Sequence, residues 1–399
     1  MLVGRVRCPV EGSGVAQGTT GSRTSLWRLP AVRALAGATV LGFTSFTLTL
    51  ASLPVYAVAG GAAADTAGLV TAVFLAVTVA GQSAVPALTA RFGPGPVLAA
   101  GLVALGAPSP LYAVDDGLLW LSAVSAVRGL GFAVLTVLGA TLAARVAPPE
   151  RRGESIGLYG LAIAVPNLAF VPAGVALVLG GHAAWMAWLA AAPVLALPLV
   201  PGVVRGVRAE PRSGTSSSRA AVRAALAPSG VLLVVTLAGG GLVTFLPIER
   251  PDGVLATAAL LVFGLTAALS RWRAGVLADR TGTRLLLPLA LLLSAGGMAV
   301  VALGLSAGAG WVLAGAAVFG AGYGTVQNLT LLAAFARAGG GGATTASAVW
   351  NASFDAGTAV GALVLGLVAA GVGLPWTYVL VAGVLLLTLP LARVATRPA

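Results

Sequence analysis

The stretch Gly275-Val-Leu-Ala-Asp279-Arg280-Thr-Gly282-Thr-Arg284 sets one acid and two arginines between glycines, with long apolar runs on both sides. Charge is scarce around it. Hydrophobic residues make up 58% of the 399 residues, charged residues 9%, and the mean hydropathy is +0.99. A water-soluble domain carries roughly 25% charged residues, so the solvent of this chain is a bilayer. Each crossing needs about 20 apolar residues. Runs of that length are read near residues 35–59, 67–89, 96–114, 117–143, 155–179, 183–204, 229–248, 253–270, 285–305, 310–336, 343–371 and 374–393. They are rich in Leu, Ala, Val and Gly and much longer than the alternating segments of about ten residues that build a membrane barrel. The predicted fold class is an all-α polytopic membrane protein of about twelve transmembrane helices.

Arginine sets the orientation, because the chain contains no lysine. Of its 23 arginines, 21 fall before the first span or after the second, fourth, sixth, eighth, tenth and twelfth, all on one side. Arg271, Arg273, Arg280 and Arg284 are counted among them as loop residues after the eighth span. Arg128 lies within a span, and Arg250 alone falls in an opposite loop, flanked by Glu249 and Asp252. The positive-inside rule then puts both termini of a multi-pass cell-membrane protein in the cytoplasm. The net charge of +12 is thereby a topology signal, and a nucleic-acid partner is not expected. Residues 1–30 lack an apolar core, so they read as a cytoplasmic tail rather than a cleaved signal, or as sequence ahead of the true start. Cys8 is the single cysteine and His182 the single histidine. Intramolecular disulfides, multi-thiolate metal sites and histidine-cluster metal sites are excluded, and no cofactor is expected.

The longest connection, 205–228, is biased to Ser, Gly and Arg and reads as a linker. It divides the chain into a tail (1–30), a first six-helix bundle (31–204), a second (229–394) and a short tail (395–399). The halves repeat. An offset of 189 lays Pro86-Ala-Leu-Thr-Ala90-Arg91-Phe-Gly93 over Gly275 to Gly282, and a slightly different one lays Val127-Arg128-Gly129-Leu-Gly131-Phe132 over Val318 to Tyr323. Ala-Leu-Val-Leu-Gly recurs at 176–180 and 362–366. The common order of these matches predicts two pseudo-symmetric bundles, the parallel-repeat plan of many secondary carriers.

With this topology and linker, the Gly-x-Leu-Ala-Asp-Arg-x-Gly-x-Arg turn resembles the signature of the major facilitator superfamily, and the resemblance runs from about residue 31 onward. The equivalent turn after the second span departs from it, with Ala90 in place of the acid and Pro94-Gly-Pro96 in place of basic residues. Arg128 with Gly129 and Gly131 resembles the membrane-embedded arginine motif of the family. The fifth span keeps Pro172 and Gly174 of the antiporter motif but has Asn167, Val171 and Val175 where glycines are expected. The resemblance points to the drug:proton antiporter-like efflux branch. It implies that Gly275, Asp279, Arg280, Gly282 and Arg284 form a latch closing the cytoplasmic side in one state, asymmetric because one half alone keeps the acid.

Residue chemistry reads the same places independently. Gly275 and Gly282 permit close approach and a tight connection, and Asp279 can accept hydrogen bonds from helix N-terminal amides, where negative charge is favoured. Arg280 and Arg284 either join that latch or anchor to anionic lipid. Asp355 is the one acid deep in a span, where an ionisable group is costly and marks either a proton-responsive site or interhelical hydrogen bonding. Asn351 precedes it by one helical turn. Arg128 cannot shed its charge and must be paired or solvated, by substrate, by Asp355 or by backbone carbonyls. Gln327, Asn328, Asn167, Gln82 and the series Thr44, Ser45, Thr47 and Thr49 are cavity-lining candidates, each with interhelical packing as the competing role.

There is no phosphate-binding Walker loop and no nucleophile paired with a base at membrane depth. The expected function is that of a monomeric secondary carrier in the lipid bilayer that exchanges protons for a small apolar or amphipathic compound on its way out. A proton-coupled importer of a small metabolite is the alternative. An intramembrane enzyme or a lipid-handling receptor is a remote one.

Overall fold

The computed structural model describes residues 25–63, 66–207, 218–249 and 253–397. Cys8 and the tail to residue 24, the middle of the linker (208–217), Arg250 and Asp252, and residues 398–399 lie outside the described residues. Within them the chain is helical, and eleven helices are long and apolar enough to span a membrane, or twelve with one bent pair. We label them α1 (Pro30–Ala59), α2 (Leu69–Gln82 with Val85–Phe92), α3 (Pro94–Ala113), α4 (Leu118–Val146), α5 (Pro149–Leu179) and α6 (Ala183–Arg205). The second set is α7 (Ser218–Leu246), α8 (Val254–Thr281), α9 (Leu286–Ala307), α10 (Ala309–Gly339), α11 (Gly341–Val372) and α12 (Leu374–Ala395).

Local sequence explains the breaks. The two pieces of α2 meet at 52° beside Pro86, which has no N–H to continue the ladder. Gly93, Gly308 and Gly373 adopt positive φ immediately before α3, α10 and α12. Between α10 and α11 the helix is interrupted only where Gly339 turns to φ 66°, so the connection expected over 337–342 is a near-continuous bend. A larger correction concerns the quoted stretch itself. Gly275 to Thr281 is not a loop but the last two turns of α8, which ends at Gly282 with φ 76°. No proline interrupts Gly253–Thr281, so the helix carries its arginines past the point where apolar composition ends.

The outer surface is apolar, with Leu119, Leu367 and Leu387 exposed, as suits contact with lipid. Two large buried clusters fill the interior. One is built entirely from α7 to α12. The other joins α1 to α6 with Ala221, Phe335, Ala346 and Trp350 of the second half, so the halves pack against each other. Polar ties cross the same boundary: Ser347 Oγ donates to Val137 O at 2.8 Å, and Gln82 Nε2 donates to Asp355 Oδ2 at 2.8 Å.

Candidate transport cavity and its closure

A cavity of about 880 Å³ lies between α5 and α8, with Val243 of α7, Tyr323 and Gln327 of α10 and Phe354 of α11 completing its wall. On α8 the lining recurs at Thr257, Leu260, Leu261, Gly264, Ala267, Ala268 and Arg271, the three-to-four spacing of one helix face. On α5 it runs from Gly160 through Asn167 and Val171 to Leu179. Most of the wall is aliphatic or aromatic, the usual make-up of a small-molecule site.

At the arginine-rich end the cavity stops where α5 and α8 touch. Asp279 accepts hydrogen bonds from Gly153 N at 2.7 Å and Glu154 N at 2.8 Å, in the first turn of the α-helical part of α5, which begins at Arg152 after a 3-10 turn. Those donors have no partner within their own helix, and the positive end of the helix favours a carboxylate there. Gly153 and Gly275 face each other so closely that a Cβ on either would collide with backbone of the other. Asn328 Nδ2 bridges the contact, donating to Gly153 O at 3.2 Å and Arg271 O at 3.0 Å. Arg280 and Arg284 are exposed and do not take part.

Arg271 is the feature that the sequence reading missed. Assigned there to a loop, it sits on α8 as a 7% exposed side chain bordering the cavity. Its Nη1 donates to Gln327 Oε1 at 2.9 Å, its guanidinium lies 5.8 Å from the Trp350 ring, and its Nε is buried without an acceptor. Gly160 of α5 makes the room: a Cβ there would stand 2.5 Å from Arg271 Nε. The signal that finds Arg271 is the proline-free helical period running from Thr257, which outweighs the rule that arginines mark loops.

The other candidates divide. Gln327 and Asn167 line the cavity, Asn167 also donating to Ile163 O at 3.0 Å. Arg128 does not reach it. That side chain is fully buried within the first half, where its five N–H groups meet Leu105 O (3.0 Å), Thr49 Oγ1 (3.1 Å), Tyr112 Oη (2.8 Å), Ser45 O (3.1 Å) and Ser45 Oγ (2.8 Å). Asp355 is not among its partners. Ser45 and Thr49, read as cavity lining, are thus partners of Arg128, while Thr47 bonds back to Phe43 O. Thr44 is buried and also lies away from the cavity wall. Asn351 bonds Ser347 O at 2.8 Å on its own helix and lies outside the cavity, as do Asn328 and Asp355.

Eleven apolar helices and one bent pair among the described residues, in two packed halves with a cavity between them closed at one end, form the architecture of a polytopic secondary carrier. The sequence profile of the Major Facilitator Superfamily matches residues 35–351, and the chain belongs to that family. Its fold is similar to that of the human organic anion transporter MFSD10 (TETRAN), at 18% identity over 91% of this chain and 99% of that one, with a TM-score of 0.73. It is also similar to the Escherichia coli fucose:proton symporter FucP, at 15% identity over 92% and 98% of the two chains, with a TM-score of 0.68. A structure of FucP in the outward conformation gives a TM-score of 0.70 at the same identity. Among curated proteins nothing matches. The family and these neighbours point to a transporter rather than an enzyme.

Proposed function

We propose that this chain exports a small apolar or amphipathic compound in exchange for protons, by alternating access. The carrying observation is the cavity of about 880 Å³, which ends at the Asp279 closure and extends towards Thr257 and Leu179 at the far ends of α8 and α5. Rocking of the halves that frees Asp279 from the α5 amides would open the same cavity to the arginine-rich side. On the arginine distribution that side is the cytoplasm. Leu168, Val243 and Leu261 line the cavity and are 38%, 46% and 50% exposed, so the surface a solute meets there is apolar. This favours a membrane-partitioning compound and hence export.

Asp355 is the residue we assign to the proton. Among the described residues it is the carboxylate placed midway along a span, and its bond from Gln82 joins α11 to α2 across the boundary of the halves. A charge at that depth is costly, and protonation converts an acceptor oxygen into a donor, so proton transfer alters a contact between the moving parts. One of the two neighbours is named a proton symporter, which agrees with a proton-coupled carrier by analogy alone.

The test is accumulation of naphthalene probes in inside-out vesicles with an acidic lumen. Wild-type protein should concentrate a probe, and Asp355→Asn should abolish this while leaving probe exchange without a gradient. Uptake confined to right-side-out vesicles would reverse the direction to import. Undiminished accumulation by Asp355→Asn would remove the proton role from this residue.

A further inference from the structure

We propose that Arg271 is a binding site for an anionic head group, so that the transported compound is an amphipathic organic anion with its charge seated against Arg271 and its apolar body along α5 and α8. The proposal rests on the reading of the cavity as the transport site and adds the substrate class to it.

Two observations carry it. The first is a deficit of partners. A guanidinium has five N–H donors and cannot deprotonate, so burying it calls for several acceptors. Arg271 is 7% exposed and has one hydrogen-bond acceptor among the described residues, the neutral Gln327 Oε1 at 2.9 Å. No carboxylate stands within ion-pair distance of it among those residues, and its Nε is buried without an acceptor. The ring of Trp350 at 5.8 Å offers only a weak attraction. The second observation is placement. Arg271 borders the cavity at its closed end, beside Gly160, Gln327 and Tyr323, while Ile163, Leu168, Val171, Leu261 and Phe354 supply an apolar wall.

A carboxylate, sulfonate or phosphate monoester at this position would accept bidentate hydrogen bonds from the guanidinium, the strong charge-assisted kind. Gln327 and the Tyr323 hydroxyl stand beside it as neutral neighbours on the same wall. A cationic compound would meet like charge instead, and a neutral one would leave the donors as they are. Selectivity by head-group charge is therefore the expected property of the site. The position also links binding to movement. The backbone carbonyl of Arg271 accepts from Asn328, which in turn holds Gly153 at the closure, so an anion drawing on Arg271 acts two turns from Asp279 on the same helix.

The experiment compares three probes with one apolar body: naphthalene-1-sulfonate, 1-naphthol and trimethyl(1-naphthyl)ammonium, measured by equilibrium dialysis against the full chain in nanodiscs. Wild-type protein should retain the sulfonate at least about tenfold more tightly than the other two, the scale of one charge-assisted pair. Arg271→Gln should remove that preference while keeping naphthol binding, and Arg271→Lys should keep part of it. Gly264→Trp, which projects into the cavity, should remove all binding. Equal affinities for the three probes in wild-type protein, no retention of the sulfonate, or a preference that survives in Arg271→Gln would each overturn the proposal. Naphthol binding unaffected by Gly264→Trp would instead refute the cavity as the binding site, so the two failures are distinguishable. The wild-type comparison stands even where a variant does not fold.

Discussion

Arg128 and Arg271 are both buried arginines in membrane-spanning helices, yet their surroundings are opposite. Around Arg128, two backbone carbonyls and three hydroxyl oxygens take up all five donors, and the side chain does not line the large cavity. Around Arg271 one amide oxygen serves, and the buried side chain borders the cavity between two helices that belong to different halves. A saturated arginine ties α1, α3 and α4 into one rigid body. An undersaturated one retains capacity for a ligand. Burial alone does not separate the two; the inventory of acceptors does.

The largest effect expected from this contrast is on stability. Arg128→Leu removes five buried hydrogen bonds at once, to Ser45 O and Oγ, Thr49 Oγ1, Tyr112 Oη and Leu105 O, each contributing about 0.5–1.5 kcal/mol net. A loss of about 3 kcal/mol or more should lower the apparent melting temperature or prevent recovery of a single detergent-solubilised species. Arg271→Leu removes a cation with one partner and should leave melting within about 1 kcal/mol of wild type, the usual range of a single net hydrogen bond. Equal destabilisation by the two variants would break the comparison.

The sequence tells the two apart only in part. The spans follow from hydropathy, because a run of about 20 apolar residues has few other uses. The bonding capacity of Asp279 is also readable, since a lone acid near a helix boundary has helix-end amides as its natural partners. What hides Arg271 is that the positive-inside rule treats every arginine near a span end as loop, whereas the helix here continues to Thr281. Arg128 is visible as a buried charge, but its acceptors come from positions as far away as Ser45 and Leu105, and nothing local announces that its donors are filled. The Gln82–Asp355 bond spans 273 positions and is beyond local pattern for the same reason.

The closure next to Arg271 provides the second prediction. Asp279→Asn replaces a charged acceptor by a neutral amide with one carbonyl oxygen for two amides, Gly153 N and Glu154 N. Hydrogen bonds to charged groups contribute about 1.5–3 kcal/mol, which corresponds to a shift of about ten- to a hundredfold towards the state open at this end. Spin labels at the exposed positions Glu150 and Arg280, in a Cys8→Ser background, should report a new longer-distance population. An unchanged distance distribution would mean that the Gly153–Gly275 contact holds the closure without the carboxylate, and that the tie between halves is packing rather than charge.

The smallest expected effect is the most specific. At Gly160 of α5 an added Cβ would stand 2.5 Å from both Cδ and Nε of Arg271, and that side chain is long enough to give way. Gly160→Ala therefore combines a gain of about 1 kcal/mol in helix propensity with an overpacking cost of about 1–3 kcal/mol, and the net change in melting should be small. The guanidinium, however, is pushed from its bond with Gln327 at 2.9 Å, and a bidentate contact with an anion depends on where that fork lies. We expect a several-fold loss of naphthalene-1-sulfonate retention with 1-naphthol retention intact. Because the charge itself remains in Gly160→Ala, the variant separates position from presence. Sulfonate retention equal to wild type would show that the cation attracts anions only through its general field, and the geometric part of the contrast with Arg128 would then fail.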